Sequence, residues 1–369
     1  MLKCTVHRWP EGEGREEFIM EFSISRRAAM GIGALLVSTA FAAPAFAQAE
    51  FTFTLHHFLG PGAPAQTQML EPWAERIEDA SNGRVDIEIY PSMSLGGTPA
   101  ELIRQARDGV VDLIWTLNGY SPGLFPRTEV FELPNIHTND PIATNLAIAD
   151  LFDEYLAEEH VGVKVLFQHV HAGQAIHMVS EEIRSPEDLA GMTLRIPTRT
   201  GAWVVEALGA NPVSMPVPDF PQALSRGVVD GGLVPWEIIP ALQLQDLTDY
   251  QIELANKGRL GASVFQVSMN LDRWNGLPED IQQIFLDNSD EDWLREVGQI
   301  WRDIDEAGIA IAIAAGNHHV VLSEEESAAF TEAVEPVVAR WVEEVGGQGS
   351  VDAQAIADAA RAAVAARSE

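Results

Sequence analysis

The chain has one cysteine in 369 residues, Cys4, and only 23 Lys and Arg against 55 Asp and Glu, for a net charge of −32 at pH 7. A single thiol excludes a disulfide framework and a cysteine-ligated metal centre. So few cations exclude nucleic acid as a partner, since phosphates are gripped by clustered Lys and Arg. An acidic membrane surface is equally unfavourable. Phosphate loops are missing too. Gly60-Pro61-Gly62-Ala63-Pro64-Ala65 imitates a dinucleotide pattern, yet Pro61 and Pro64 remove N–H donors that such a loop directs at phosphate. The sequence has no Walker loop, no nucleophile elbow and no His-Glu-x-x-His zinc motif.

A long membrane-spanning run is also lacking. A spanning helix needs roughly 20 apolar residues. The strongly apolar stretch from about Ala28 to Phe41 is shorter, and Pro44 and Gln48 interrupt the residues after it. Arg26-Arg27 precedes it and Ala45-Phe46-Ala47 closes it, the pattern of a signal peptide cleaved after Ala47. The paired arginines leave both general secretion and twin-arginine export open. Residues 1–19 are polar and charged, which no signal peptide begins with. Met20 is therefore the expected start, residues 1–19 a misplaced one, and 20–47 the signal. The exported chain is expected to be periplasmic, with no membrane insertion after cleavage.

The rest is long enough for two cores. Its acidity reads as a solvated surface. That field repels anions, but salt screens it within roughly 3–8 Å, so a single cation lining a cleft decides the matter locally.

Phe51 to Phe58 alternates as a strand, and Gln66 to Ser81 reads as a helix with Leu70, Trp73, Ile77 and Ala80 on one face. Val85 to Tyr90 is a second strand, Thr98-Pro99 opens a helix, and Val110 to Trp115 is a third strand. A second cycle comes next: strands at Lys164–His171, Met192–Ile196 and Asn211–Met215, with helices at Thr200–Leu208 and Phe220–Arg226. Ala262–Met269 returns as a strand, 278–315 is a long helical region, and Val351–Arg367 a terminal helix. Alternating strands and helices imply α/β lobes with mainly parallel sheets.

Histidines cluster at His56-His57, and at His169, His171 and His177. Strand alternation would put His169 and His171 on one face, as a metal pair needs; the competing reading is hydrogen-bonded histidines at strand ends. A periplasmic metal-dependent hydrolase or lyase is the alternative this cluster supports.

Several stretches together resemble the solute-binding proteins of TRAP-type tripartite transporters, the DctP-like family. They are Tyr90-Pro91-Ser92-Met93-Ser94-Leu95-Gly96-Gly97, Arg107-Asp108-Gly109-Val110-Val111-Asp112, Ser185 to Pro197, Ala207-Leu208-Gly209-Ala210, Arg226-Gly227-Val228-Val229-Asp230-Gly231 and Leu277-Pro278-Glu279-Asp280. The resemblance covers Phe51 to about Trp301. It implies a two-lobed periplasmic binding protein fold with a hinge and a long helix spanning both lobes. The expected partition is 48–173 with about 263–300 in lobe I, 174–262 with about 316–369 in lobe II, and about 278–315 as the connecting helix. It further implies no catalysis and no cofactor or metal. The partners would be a small-molecule carboxylate and the small and large TRAP membrane subunits.

The family's carboxylate-binding arginine falls on Arg195 in Leu194-Arg195-Ile196-Pro197. A guanidinium makes two parallel hydrogen bonds to one carboxylate, fixing charge and orientation together. Where many members carry an asparagine after the Val-Asp-Gly turn, this chain has Val234. Where some use a second arginine it has Ala175, between Gln174 and His177. The turn after the third strand reads Trp115-Thr116-Leu117-Asn118-Gly119-Tyr120. The expected cleft is thus aromatic, with Trp115, Tyr120 and Trp236 as walls and Asn118 and His177 beside them. Such a cleft suits an aromatic or short 2-hydroxy or 2-keto monocarboxylate. A dicarboxylate whose second carboxylate meets His177 or another cleft group is the second binding reading.

Overall fold

The computed structural model describes residues 49–347 and 351–368. The expected signal peptide and the start at Met20 lie outside them. Two sheets form the frame, and the chain crosses between them.

The first half builds one sheet. Strand β1 (Phe51–His56) buries Phe53 and Leu55, as its alternation requires. A π-helical turn at Ala65–Leu70 runs into α1 (Glu71–Ala80), which buries Leu70, Trp73 and Ile77; Ala74 rather than the exposed Ala80 completes that face. β2 (Val85–Tyr90) pairs parallel to β1 along its length. A capping box at Thr98 and Glu101 leads into α2 (Leu102–Arg107). β3 spans Leu113–Leu117, later than the expected Val110–Trp115. Gly109 has φ 68°, Val110 is exposed, and the Asp112 carboxylate accepts from Thr54 N at 2.9 Å, so this stretch is a pinned turn. α3 (Pro141–Leu151) is buried over most of its length because β4, another long helix and the C-terminal helix cover it, leaving Ala149 and Asp150 exposed. β4 (Val163–Val170) completes this part.

The second sheet contains β5 (Ala175–Met178), β6 (Thr193–Ile196), β7 (Asn211–Ser214), β8 (Gly231–Val234) and β9 (Tyr250–Glu253). Helices α4 (Arg199–Ala207), α5 (Phe220–Ser225) and α6 (Ile238–Leu242) intervene. β10 (Val264–Asn270) then returns to the first sheet, antiparallel between β3 and β4. After α7 (Leu271–Asn275), the expected long helical region divides into α8 (Glu279–Asp287) and α9 (Glu291–Ala314). Asp290 makes the break: its carboxylate caps α9 by accepting from Trp293 N at 3.1 Å. β11 (His318–Val321) joins the second sheet, followed by α10 (Glu324–Val334), α11 (Pro336–Gly346) and α12 (Ala353–Arg367), which lies on α3. The strand orders are β2-β1-β3-β10-β4 and β11-β9-β5-β8-β6-β7.

α9, roughly 36 Å long at 1.5 Å per residue, touches β4 and α3 on one side and α6 and β11 on the other, so it runs across both lobes. Two glycines let it sit this close. A Cβ on Gly298 would come 2.7 Å from Ile142 Cα, and one on Gly308 would come 2.1 Å from Trp236 O.

Candidate functional site

Ligand clefts of α/β proteins form beyond the carboxyl ends of parallel strands. Here the ends of β3, β6 and β8 meet the crossovers at 171–174 and 258–263 around a cavity.

Arg195, the third residue of β6, is 1% exposed. Its Nε donates to Met215 O at 3.1 Å and its Nη1 to Leu233 O at 2.9 Å, while Nη2 has no partner. Gly232, opposite it on β8, makes room: a Cβ there would lie 2.9 Å from Arg195 Cβ and 2.8 Å from Phe220 Cζ. Burial pulls the guanidinium pKa down, with Tyr120 and Asp219 opposing that pull. Arginine nonetheless stays charged at neutral pH. The two carbonyls therefore hold the fork in place and leave part of a buried cation unanswered.

The wall opposite is aromatic. Phe58 stacks on Trp115 (centroids 4.9 Å, planes 10° apart), Trp115 on Phe265 (5.1 Å, 5°), and Trp301 of α9 lies near Phe265 (5.8 Å). All four line the cavity. Tyr120 closes one side, its hydroxyl accepting from Val217 N at 2.8 Å. That bond ties the turn after β3 to the loop after β7, in the other lobe. Gly119 reinforces the approach, since a Cβ there would sit 2.4 Å from Thr198 Cγ2.

The remaining polar groups are neutral. His171 Nδ1 accepts from Gly173 N at 2.8 Å, and burial, the largest influence, holds its pKa well below the usual value. Its one ring proton is then on Nε2, 3.0 Å from the Gln174 amide nitrogen, while the Gln174 oxygen has no partner. Exchanging the amide O and N places the oxygen against His171 and Ser263 and leaves the NH2 group beside the cavity. Glu237, at the N-terminus of α6, also lines the cavity and makes no cap bond; its Oε2 is unpartnered. Burial first, then Asp305, raises its pKa well above the ordinary carboxyl value, which favours its protonated form.

Of the residues singled out in the sequence, Arg195, Tyr120 and Trp115 come together here, and Trp236, Asn118 and His177 do not. Trp236 turns away to meet His177 and His319 edge-on, at 5.0 and 4.9 Å. Its backbone N–H donates to Asp305 Oδ1 at 3.3 Å, which orients the turn so that Glu237 faces the cavity. Asn118 Oδ1 accepts from Gln266 at 2.7 Å behind the wall. His177 lies under Trp236 with Nε2 3.0 Å from Val234 O, and burial holds it neutral with a pKa of about 3. His177 is therefore not the cleft group that could meet the second carboxylate of a dicarboxylate. His169 accepts from Trp115 Nε1–H at 2.9 Å, so it supports the aromatic wall and does not pair with His171. Among the described residues no group of three or more His, Cys, Asp or Glu is arranged to hold a metal ion.

Phe58, Phe265, Trp301, Gln174, Ser263 and Glu237 were not read as site residues from the sequence. Glu237 left one signal, an acid inside the apolar run Leu233-Val234-Pro235-Trp236-Glu237-Ile238-Ile239.

Two α/β lobes around an aromatic cleft with one incompletely paired guanidinium define a solute receptor. The chain belongs to the family described as bacterial extracellular solute-binding protein, family 7 (DctP), whose model matches residues 55–344. A TRAP solute-binding protein from Rhodoferax ferrireducens, solved with copurified benzoate, is 35% identical with a TM-score of 0.83, covering 86% of this chain and 98% of that one. A marine metagenome TRAP solute-binding protein specific for aromatic acid ligands, solved with metahydroxyphenylacetate, is 34% identical with a TM-score of 0.84, covering 86% and 100%. The C4-dicarboxylate-binding periplasmic protein DctP of Rhodobacter capsulatus is 27% identical over 86% of this chain and 94% of its own. These are binding proteins, and the chain is a transport receptor rather than an enzyme. The family is periplasmic, and no helix among the described residues is long and apolar enough to cross a membrane.

Proposed function

We propose that the mature chain, cleaved after Ala47, captures an aromatic monocarboxylate in the periplasm and presents it to the small and large subunits of a TRAP-type transporter. The observation that carries this reading is the free Nη2 of buried Arg195 in a cavity walled by Phe58, Trp115, Phe265 and Trp301. The carboxylate would bond the guanidinium edge-on, answering the buried charge. The ring would lie along the aromatic wall. A short 2-hydroxy or 2-keto acid would satisfy Arg195 but leave much of that wall uncovered, and a sugar acid would leave several hydroxyls unpaired, each at a cost of roughly 1–3 kcal/mol. The benzoate and metahydroxyphenylacetate bound by two relatives support the aromatic class. Lobe I (48–173 with about 263–300) and lobe II (174–262 with about 316–369) would be held together over the loaded solute by Tyr120 and Val217.

The test is a thermal-shift panel on Gln48–Glu369 with aromatic, 2-keto, 2-hydroxy, dicarboxylic and sugar acids. A ligand at 100 times its Kd stabilises by about 2.7 kcal/mol. The largest shifts are expected from benzoate-type acids; shifts confined to dicarboxylates or sugar acids would overturn the assignment.

A further inference from the structure

Glu237 is a buried acid without a structural occupation. Each role open to a carboxyl at that place is filled by another residue. Asp305 accepts from Trp236 N and from Arg259 Nη2 at 2.9 Å. Glu253 takes the other side of Arg259 and holds His319 Nε2 at 3.0 Å. α6 begins at Glu237 without a side-chain cap. Oε2 of the Glu237 carboxyl has no hydrogen-bond partner, the carboxyl forms no ion pair, and the residue is 5% exposed, lining the cavity. A buried polar group left this way costs stability, so an apolar side chain would serve the fold better.

Its position is fixed from outside the site. Gly308 of α9 allows the helix backbone to close on Trp236 O, and Trp236 N is held by Asp305 of the same helix. The turn after β8 therefore aims residue 237, and not 236, into the cleft. β8 carries Gly232 beside Arg195, and Glu237 lies five positions further along, past the end of the strand. The cavity thus has an anion-binding group at one place and a protonated acid at another, with the aromatic wall beside both. A protonated carboxyl has one O–H donor and one C=O acceptor. A hydroxyl offers the same pair, and can engage both.

Resting on the aromatic-monocarboxylate reading above, we infer that Glu237 is a specificity-determining residue that hydrogen-bonds a hydroxyl group on the ligand, so that the preferred solutes are hydroxylated aromatic acids. The unsubstituted ring acid fits the same cavity but leaves Glu237 unanswered, as it is in the ligand-free protein.

The experiment compares Kd by calorimetry at pH 7 for benzoate with 2-, 3- and 4-hydroxybenzoate, and for phenylacetate with mandelate, on the mature chain and on Glu237→Gln and Glu237→Leu. In the wild type at least one hydroxylated acid is expected to bind about 10-fold or more tighter than its parent, the size of one hydrogen bond to a buried group. Glu237→Gln, which keeps a donor and an acceptor, should retain most of that ratio. Glu237→Leu should bring it to about one, the ratio being read against the parent acid's own Kd in that variant. A ratio unchanged in Glu237→Leu, or no hydroxylated acid preferred by the wild type, overturns the inference. Failure of every aromatic acid to bind the wild type would instead remove the reading beneath it, and where a variant does not fold, a wild type that prefers no hydroxylated isomer still overturns the inference.

Discussion

Replacing Arg195 by Met has two opposed consequences that can be measured separately. In the ligand-free protein the guanidinium is buried with one nitrogen unpartnered, its burial offset only by the carbonyls of Met215 and Leu233. Removing the charge relieves that desolvation but strips charged donors from two carbonyls, at about 1–3 kcal/mol each. The terms oppose each other, so the ligand-free unfolding free energy should move by no more than about 2 kcal/mol. In the complex the loss is one-sided, because the ligand carboxylate would be buried with no cation facing it. Truncating one partner of a buried charged pair costs about 2–5 kcal/mol, a rise in Kd of roughly 30- to several thousand-fold. Urea unfolding of the free protein and calorimetric titration with benzoate read the two terms. A variant that binds within threefold of the wild type, or that unfolds outright without ligand, would refute the reasoning.

Gly119→Val would push a Cβ to 2.4 Å from Thr198 Cγ2. It should hinder closure, raising Kd at least tenfold while leaving the free protein's melting temperature within a few degrees; unchanged affinity would show that closure does not need this contact. Burial, with Glu129 second, raises the Glu132 carboxyl to about 8. The native state thus holds a proton that the unfolded chain, with a carboxyl near 4.5, releases, and this contribution is full below about pH 4.5 and lost as pH rises through 8. Glu132→Gln should gain on the wild type between pH 5 and 9 by up to about 5 kcal/mol in urea unfolding; a constant difference would contradict this. His57, His137 and His160, near 4, and His169 and His177, near 3, are depressed chiefly by burial. Their contribution is present above 6.5 and lost as pH falls, so His169→Gln should lessen the decline in stability between pH 6.5 and 4.5.

The sequence was most legible where one short pattern sufficed. Phe51–His56 and Val85–Tyr90 alternate and became strands, and the capping box at Thr98 started a helix where expected. Arg195 stood out through the family motif that Leu194-Arg195-Ile196-Pro197 resembles, in a chain where cations are scarce. β5, β8, β9 and β11 went unread, and in β8 the pair Gly231-Gly232 looks like a turn. Those glycines exist for close approach: a Cβ on Gly231 would meet His177 O at 2.3 Å. The exchange of Trp236 for Glu237 could not be seen locally, since Asp305 and Gly308, some 70 positions away, set the direction of that turn. Phe265 and Trp301 reach the wall through the antiparallel return of β10 and the course of α9, both long-range facts.

Capture of a carboxylate by a buried guanidinium against an aromatic wall is tested most directly by calorimetry of benzoate against benzamide on Gln48–Glu369. The two ligands share a ring and a shape and differ in charge. One-to-one binding of benzoate, with benzamide at least about 100-fold weaker, is the expected result. Equal affinity, or binding of neither, would contradict it.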